Sequence, residues 1–333
     1  MDPITQGTFG ALWAQAGGRG KRKVAAVAGA LAGMAPDLDV LIRSSEDALL
    51  ALDFHRHFTH AIPFAPVGGG IVALLLYPLL KRHIGFAQLY IVCLLGYLSH
   101  GILDTFTSYG TSLGWPLTDH RAALNWISVI DPLFTLPLIA LLLTGLKRPR
   151  FIAAAALWAL AYLSLGGWQH QRAEQTLLQW AERTGLPVER HITKPSFANL
   201  LLWRGLVDSG GTFHNVAIYL PPGSARLTPG AQVAQITADD IAPSGTTLHR
   251  DVERFAHFSD DWLFRYKFAE SPDDWFLGDF RYAMDPASAR PLWGIRFEPD
   301  QRDSGVAFER LPTADRAERE RYWQRLQGKS PPP

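Results

Sequence analysis

His100 and Asp104 stand four residues apart in an otherwise apolar run. In a helix that spacing puts an imidazole and a carboxylate on one face, one turn apart. Such a pair can share a hard or borderline divalent cation. Earlier in the chain, Asp37 and Asp39 flank a single leucine in a turn that starts with Pro36. That arrangement suits two oxygens aimed at one or two cations. His55 and His60 lie in the loop that follows and could close the shell. Imidazoles and carboxylates in these proportions suit zinc, or an iron or manganese centre. A cation held this way lowers the pKa of a bound water toward neutrality and polarises a phosphoryl or carbonyl oxygen. Hydrolysis is therefore the chemistry the inventory suits best. Asp131 could be a further ligand or the base that orients the water, and Arg56 could pair with a substrate phosphate.

Each of these residues also has a plainer reading. Asp37 and Asp39 could form a helix-end turn solvated by headgroups. His100 could be a packed, hydrogen-bonded histidine, and His55, Arg56 and His57 could be interfacial residues meeting lipid phosphate. Asp131, followed by Pro132, could cap a helix. What favours the site is where these residues fall along the chain.

Four stretches approach the length of a membrane span, about 20 apolar residues: Ile62–Leu80, Phe86–Leu103, Ile127–Leu146 and Phe151–Trp168. Val24–Ile42 is a fifth candidate, tilted or partial because Pro36 to Asp39 interrupts it. Buried helices of a large soluble protein are the alternative, and four such runs in succession are rare there. Nine Lys and Arg residues lie on one side of these spans (Arg19, Lys21, Arg22, Lys23, Lys81, Arg82, Lys147, Arg148 and Arg150), against three on the other (Arg43, Arg56 and Arg121). The positive-inside rule then puts the N-terminus in the cytoplasm and everything after Trp168 outside. With that orientation, Asp37, Asp39, His55, His60, His100, Asp104 and Asp131 all sit near the outer membrane face. The orientation was drawn from Lys and Arg alone, so the convergence is an independent check. Ionisable groups at a membrane are costly, and a one-sided cluster of them points to function.

Composition narrows the alternatives. With 32 basic and 31 acidic residues the net charge is +1, which argues against broad nucleic-acid binding. Cys93 is the single cysteine, so an intrachain disulfide and a Cys-cluster zinc site are excluded. The first sixteen residues lack the basic n-region of a cleavable signal peptide. Beyond the spans, residues 169–184 read as an amphipathic helix, with Ala173, Leu177, Leu178 and Ala181 at helical spacing and Gly185 as its stop. From there the period changes to two. Trp262 to Phe268, Asn215–Leu220 and Trp293–Phe297 are strand candidates, punctuated by Pro, Gly and Asp clusters. Residues 314–327 read as a charged surface helix capped by Thr313, and Ser330 to Pro333 as a frayed end.

Several short runs together resemble the YdjM-like family of inner-membrane metal-dependent hydrolases. They are Met1 to Gly7 (MDPITQG), Pro36 to Asp39 (PDLD), His55 to His60 (HRHFTH), Ser99 to Gly110 (SHGILDTFTSYG), Trp115-Pro116 and Asp131-Pro132. The resemblance covers roughly residues 1–168, and Asn199 to Arg204 (NLLLWR) resembles the extra domain of the longer members. It implies an α-helical membrane domain with a metal-dependent hydrolase site, similar by its motifs to the zinc phospholipase C group and related nucleases. In that group an HxxxD pair on a helix binds zinc, and His100 and Asp104 match it. Asp37 and Asp39 match the acidic motif, and His55 and His60 match the HR-x-x-TH motif. This chain departs from the pattern at Gln6, where members often carry a His, and at His57, where a Gly is common and which is therefore not counted as a ligand.

The expectation is an α+β chain with three parts. Residues 1–168 form a polytopic helical membrane domain with about five spans. Residues 169–189 are a linker helix, and residues 190–333 a small, mostly β extracytoplasmic domain. The expected function is that of a membrane-bound hydrolase of the inner membrane using a divalent metal such as zinc. Its partners would be the lipid bilayer and a small-molecule or lipid-linked substrate. Asp37, Asp39, His55, His60, His100 and Asp104 are the expected ligands, with Asp131 and Arg56 in catalytic roles. The rival expectation is a non-catalytic membrane scaffold with a structural metal and a partner-binding β domain.

Overall fold

The first residues already form a helix. Asp2 caps it by accepting from the backbone N–H groups of Ile4 and Thr5, and Pro3 occupies the first turn, where its missing donor costs nothing. This helix, α1 (Pro3–Ala14), was not expected from the sequence. A computed structural model describes residues 1–312 and 316–330. The chain divides into two compact units. One comprises Met1–Leu41, Phe54–Trp168 and Phe197–Asn199, and the other Ile42–Asp53, Gln169–Ser196 and Leu200–Pro333.

In the first unit α1 is followed by α2 (Arg22–Met34), which continues as a 3-10 turn over Ala35–Leu41. The five-residue α3 (Leu50–Phe54) and two short 3-10 turns lead into α4 (Ala65–Leu80), α5 (Phe86–Thr105) and α6 (Pro132–Gly145). Last comes α7 (Arg150–Thr184). Among the described residues, four apolar helical segments have span length: Arg22–Leu41, Ile62–Leu80, Phe86–Thr105 and Arg150–Thr184. Leu74, Leu75 and Leu79 on α4, with Leu157 and Leu160 on α7, are bare. Large apolar side chains exposed in such numbers on helices of this length are what a lipid environment covers.

Two expectations about the spans change. The run Ile127–Leu146 yields a helix of only 14 residues, about 21 Å at 1.5 Å per residue, against a hydrocarbon core of about 30 Å. Asp131 and Pro132 start it late, because they form a capped first turn. Phe151–Trp168 and the expected linker helix are one 35-residue helix, α7. Gly166 and Gly167 do not end it. A Cβ on Gly166 would stand 2.6 Å from the Trp126 carbonyl oxygen, so these glycines admit a neighbouring chain rather than stop the helix. The stop falls at Gly185, whose φ of +69 suits glycine.

Small residues bring α1, α2 and α5 together at backbone distance. A Cβ on Gly10 or on Gly96 would lie 2.5 Å from the Gly29 carbonyl oxygen, and one on Gly33 would lie 2.7 Å from that of Gln6. Close approach through glycine and alanine is how helices associate where lipid offers no hydrophobic drive. It also carries α5, with His100 and Asp104, up against the end of α2.

The second unit holds two four-stranded antiparallel sheets. The first contains β1 (Arg190–Pro195), β2 (Leu202–Asp208), β3 (Thr212–Tyr219) and β4 (Arg226–Ala234), hydrogen-bonded in that order. Ala173, Leu177 and Ala181 of α7 are buried against its Trp203, Val207, Val216 and Ile218, whereas Leu178 is exposed. The second sheet follows α8 (Thr247–Phe258) and comprises β5 (Leu263–Arg265), β6 (Trp275–Asp279), β7 (Trp293–Phe297) and β8 (Ala307–Arg310). The alternating aromatics of residues 262–268 make a shorter strand than their pattern suggests; Tyr266 and Phe268 instead pack edge-on with Phe276. The charged helix near the end is α9 (Arg316–Leu326). Its expected cap, Thr313, and the final prolines lie outside the described residues. Arg254 of α8 donates to Asp47 and Asp53, which ties residues 42–53 into this unit.

Candidate metal centre

The four positions that carry the centre come from three places in the first unit. Asp37 sits in the 3-10 turn after α2, His60 ends the turn Phe58–His60, and His100 and Asp104 lie one turn apart on α5. One atom from each lies within 4.8 Å of all the others. The two imidazoles meet through Nε2 at 2.9 Å. Asp37 Oδ1 is 3.5 Å from His60 Nε2 and 3.4 Å from His100 Nε2, and Asp104 Oδ2 is 3.4 and 3.5 Å from the same atoms. Donors about 2.0–2.2 Å from a tetrahedral ion stand about 3.3–3.5 Å from one another. The four imidazole–carboxylate distances match that spacing, and the two imidazoles stand closer, at 2.9 Å.

The outer contacts set the tautomers. His100 Nδ1 is 2.5 Å from the Gly33 carbonyl oxygen, which can only accept, so Nδ1 carries the proton and Nε2 presents a lone pair. His60 Nδ1 faces Thr59 Oγ1 at 3.0 Å and Asp39 Oδ2 at 3.4 Å, which leaves its Nε2 free in the same way. Two lone pairs 2.9 Å apart repel unless an electrophile lies between them. Among the described residues, Asp104 Oδ2 accepts no hydrogen bond although it is buried. Arg56 Nε stands 3.2 Å from it, but without the alignment of a hydrogen bond, so this contact is an ion pair and leaves the lone pairs unspent. His60, His100 and Asp104 are buried, and Asp37 is partly open. A largely buried pocket in which the three carboxylates of Asp37, Asp39 and Asp104 outnumber the two cationic groups, the Arg56 guanidinium and the Met1 α-amino group, favours a cation. On every count the residues fit a divalent ion.

Asp37 also belongs to a second group of donors, with Asp39 and His55. His55 Nδ1 lies 2.9 Å from Asp39 Oδ1, while Asp39 Oδ2 accepts from the Arg56 backbone N–H and from Thr59 Oγ1. All six expected ligands are thus adjacent. The two remaining expected residues lie elsewhere in the arrangement. Arg56 is buried, donates to Thr107 Oγ1 and stacks over Tyr109 as well as facing Asp104. Asp131 lies in neither donor group. It caps α6 and accepts from the Tyr162 hydroxyl with both oxygens, at 2.9 Å each. A Tyr162→Phe change should therefore cost about 1–3 kcal/mol of stability, because it strips from a buried carboxylate its one side-chain donor among the described residues. A lowered melting temperature with unchanged metal content is the expected reading. His57 packs on Trp115, away from the donors. Two histidines of the second unit pair with carboxylates of their own, His191 with Glu174 and His249 with Asp239.

What the sequence reading missed is the wall supplied by α1. Gln6 donates from Nε2 to Asp104 Oδ1 at 2.8 Å, while its buried Oε1 has no hydrogen-bond partner among the described residues. The Met1 α-amino group contacts the same Asp104 oxygen. The signal was present: Asp2 followed by Pro3 is a helix start, and it places Gln6 one turn in.

Comparison with known proteins agrees with the architecture. An uncharacterized protein, YfhP, of Bacillus subtilis (strain 168) is 33% identical over 98 residues, which cover 29% of this chain and 29% of that protein. The chain thus aligns with under a third of that relative's length. No solved structure matches the chain at a significant level. The family model described as YdjM inner membrane protein matches residues 1–173, the span that contains every donor above, with the β-rich region lying beyond it. The chain belongs to the YdjM inner membrane protein family.

Proposed function

We propose that this protein is a metal-dependent hydrolase of the inner membrane. The observation that supports this reading best is the convergence of His60 Nε2, His100 Nε2, Asp37 Oδ1 and Asp104 Oδ2 within 4.8 Å of one another, with each imidazole 3.4–3.5 Å from both carboxylates. A divalent ion such as zinc, bound there, would supply a water of lowered pKa and a Lewis acid for a phosphoryl or carbonyl oxygen. The protein's own part is to aim two neutral imidazoles through Gly33 and Asp39, and to hold Asp104 with Gln6 and Arg56. The partly open Asp37 marks the side from which substrate arrives. A phosphoester or lipid-linked substrate suits this position, because the donors sit at the ends of α2 and α5, at headgroup depth. Asp131 serves in this reading to anchor α6 with Tyr162 rather than to activate water.

The orientation follows from the basic loops and is testable separately. A periplasmic reporter fused after Gly185 should be active, and a reporter that works only in the cytoplasm should be silent there. The reverse pattern would invert the topology. For the activity, the detergent-purified protein should contain metal and cleave phosphomonoester or phosphodiester reporters, and a chelator should abolish both. A His100→Ala, Asp104→Ala variant should lack metal and activity. Cleavage unchanged in that variant would defeat the assignment, and bound metal without cleavage of any ester would favour the scaffold instead.

A further inference from the structure

We propose that the second unit carries a binding pocket for a small phosphate dianion, built around Arg325. The inference is independent of the metal site, because every residue it uses lies in the second unit.

The end of α9 makes the pocket. Gly328 stands at φ +75. Its N–H donates to the Arg325 carbonyl at 2.8 Å, and that of Lys329 donates to the Gln324 carbonyl at 2.9 Å. Those two bonds form a glycine stop, which ends a helix and turns the chain aside. The turn lands on the first sheet. A Cβ on Gly328 would stand 2.8 Å from the Tyr219 ring on β3, so the close approach needs glycine as much as the backbone angle does. Arg226 of β4 donates from Nη1 to the Gly328 carbonyl at 2.7 Å and pins the turn in place. Strands and turn enclose an open pocket of about 200 Å³, with Tyr219, Arg226, Thr228, Arg325, Lys329 and Ser330 in its lining. Sites for drug-sized ligands run to roughly 300–1,000 Å³, so the occupant here is small.

Arg325 supplies the observation that calls for a ligand. Its side chain is 1% exposed. Nε donates to Asp285 Oδ1 at 2.7 Å, whereas Nη1 and Nη2 have no hydrogen-bond partner among the described residues. Charged donors are rarely buried this way, because they lose water without gaining an acceptor. Asp285 does not balance the charge, since Arg321 Nε also lies 3.3 Å from its Oδ2. The lining adds Arg226 and Lys329 and contains no carboxylate. An unspent guanidinium fork in a cationic pocket suits an oxyanion held through two oxygens. Tyr219, Thr228 and Ser330 bring hydroxyl groups to the same lining. A phosphate monoester carries a charge of about −1.5 to −2 at neutral pH and three acceptor oxygens. Inorganic phosphate is similar. Either matches three cationic residues better than a carboxylate or a singly charged lipid phosphodiester does.

Calorimetric titration of the full-length protein in neutral detergent tests the pocket. Inorganic phosphate and glycerol phosphate should bind more tightly than acetate or short-chain phosphatidylglycerol. Arg325→Lys keeps a cation for Asp285 but removes the fork, and should weaken phosphate binding more than about tenfold. Phosphate held at the metal centre instead would be indifferent to that change. Lys329 is exposed, so Lys329→Ala puts the fold at little risk and should weaken binding by a few-fold at most. Lys267→Ala, outside the lining, should change nothing. Should Arg325→Lys fail to fold, the contrast between Lys329→Ala and Lys267→Ala decides. Undiminished binding in Arg325→Lys or in Lys329→Ala would overturn the proposal. So would acetate or phosphatidylglycerol binding more tightly than phosphate, or no heat from phosphate at all, which would leave water as the partner of Arg325.

Discussion

Replacing His60 with alanine is expected to empty the buried metal position. His60 Nε2 touches every other donor of the set, at 2.9 Å from His100, 3.5 Å from Asp37 and 3.4 Å from Asp104. Changes that merely disturb the outer contacts of a metal ligand cost about 10–100-fold in affinity or activity. Losing a ligand outright should exceed that, so metal affinity should fall more than about 100-fold, and the hydrolysis proposed above should fall alongside it. The variant should fold, because the methyl group of alanine fits any space an imidazole filled and the turn keeps its backbone bonds, from the N–H of residue 60 to the His57 carbonyl, from Ala61 N–H to the Phe58 carbonyl and from Ile62 N–H to the Leu113 carbonyl. Unchanged helicity by circular dichroism with absent metal is the expected pair of readings. Full metal occupancy would remove His60 from the ligand set.

The second large effect needs no change in any ligand. A Cβ on Gly101 would stand 2.1 Å from the His60 carbonyl oxygen, a backbone atom that cannot rotate away. Gly101→Ala should push the turn Phe58–His60 off α5 and break the contact between His60 and His100. Overpacking of this kind costs about 1–3 kcal/mol, and the displaced imidazole should forfeit the ion. Gly85→Ala is the matched control, since a Cβ there meets nothing within 4 Å and its φ of −73 suits any residue. Metal content and melting temperature of the two variants should separate clearly. Normal metal in Gly101→Ala would show that the turn and α5 can part without disturbing the site.

The Gly101 contact shows why part of the centre was legible and part was not. Helical periodicity is local, so the four-residue spacing of His100 and Asp104 announced a shared face before any fold was known. The acidic pair after Pro36 and the imidazoles of the next loop could be joined to them because the alternation of apolar runs and basic loops put all of them at one membrane face. Asp131 passed the same filter and yet turned its carboxylate to its own helix and to Tyr162. Membrane depth alone does not specify which way a side chain points. Gln6 failed the filter for the opposite reason: Asp2 and Pro3 mark a helix start and the family pattern marks the position, but neither says that α1 packs behind Asp104. The continuity of α7 was hidden as well, because glycines that admit a packing partner and glycines that end a helix look alike in a sequence.

By itself, then, the amino-acid order determined the membrane character, the switch to β structure in the second half and the chemical types of the donors. Those properties follow from hydropathy and short-range spacing, which each segment carries alone. Tertiary structure decided which donors meet. His60 and His100 are forty residues apart, and they touch because Gly29, Gly33, Gly96 and Gly101 let backbones approach where any larger side chain would hold them apart. Contact of that kind belongs to pairs of segments, and no single segment encodes it.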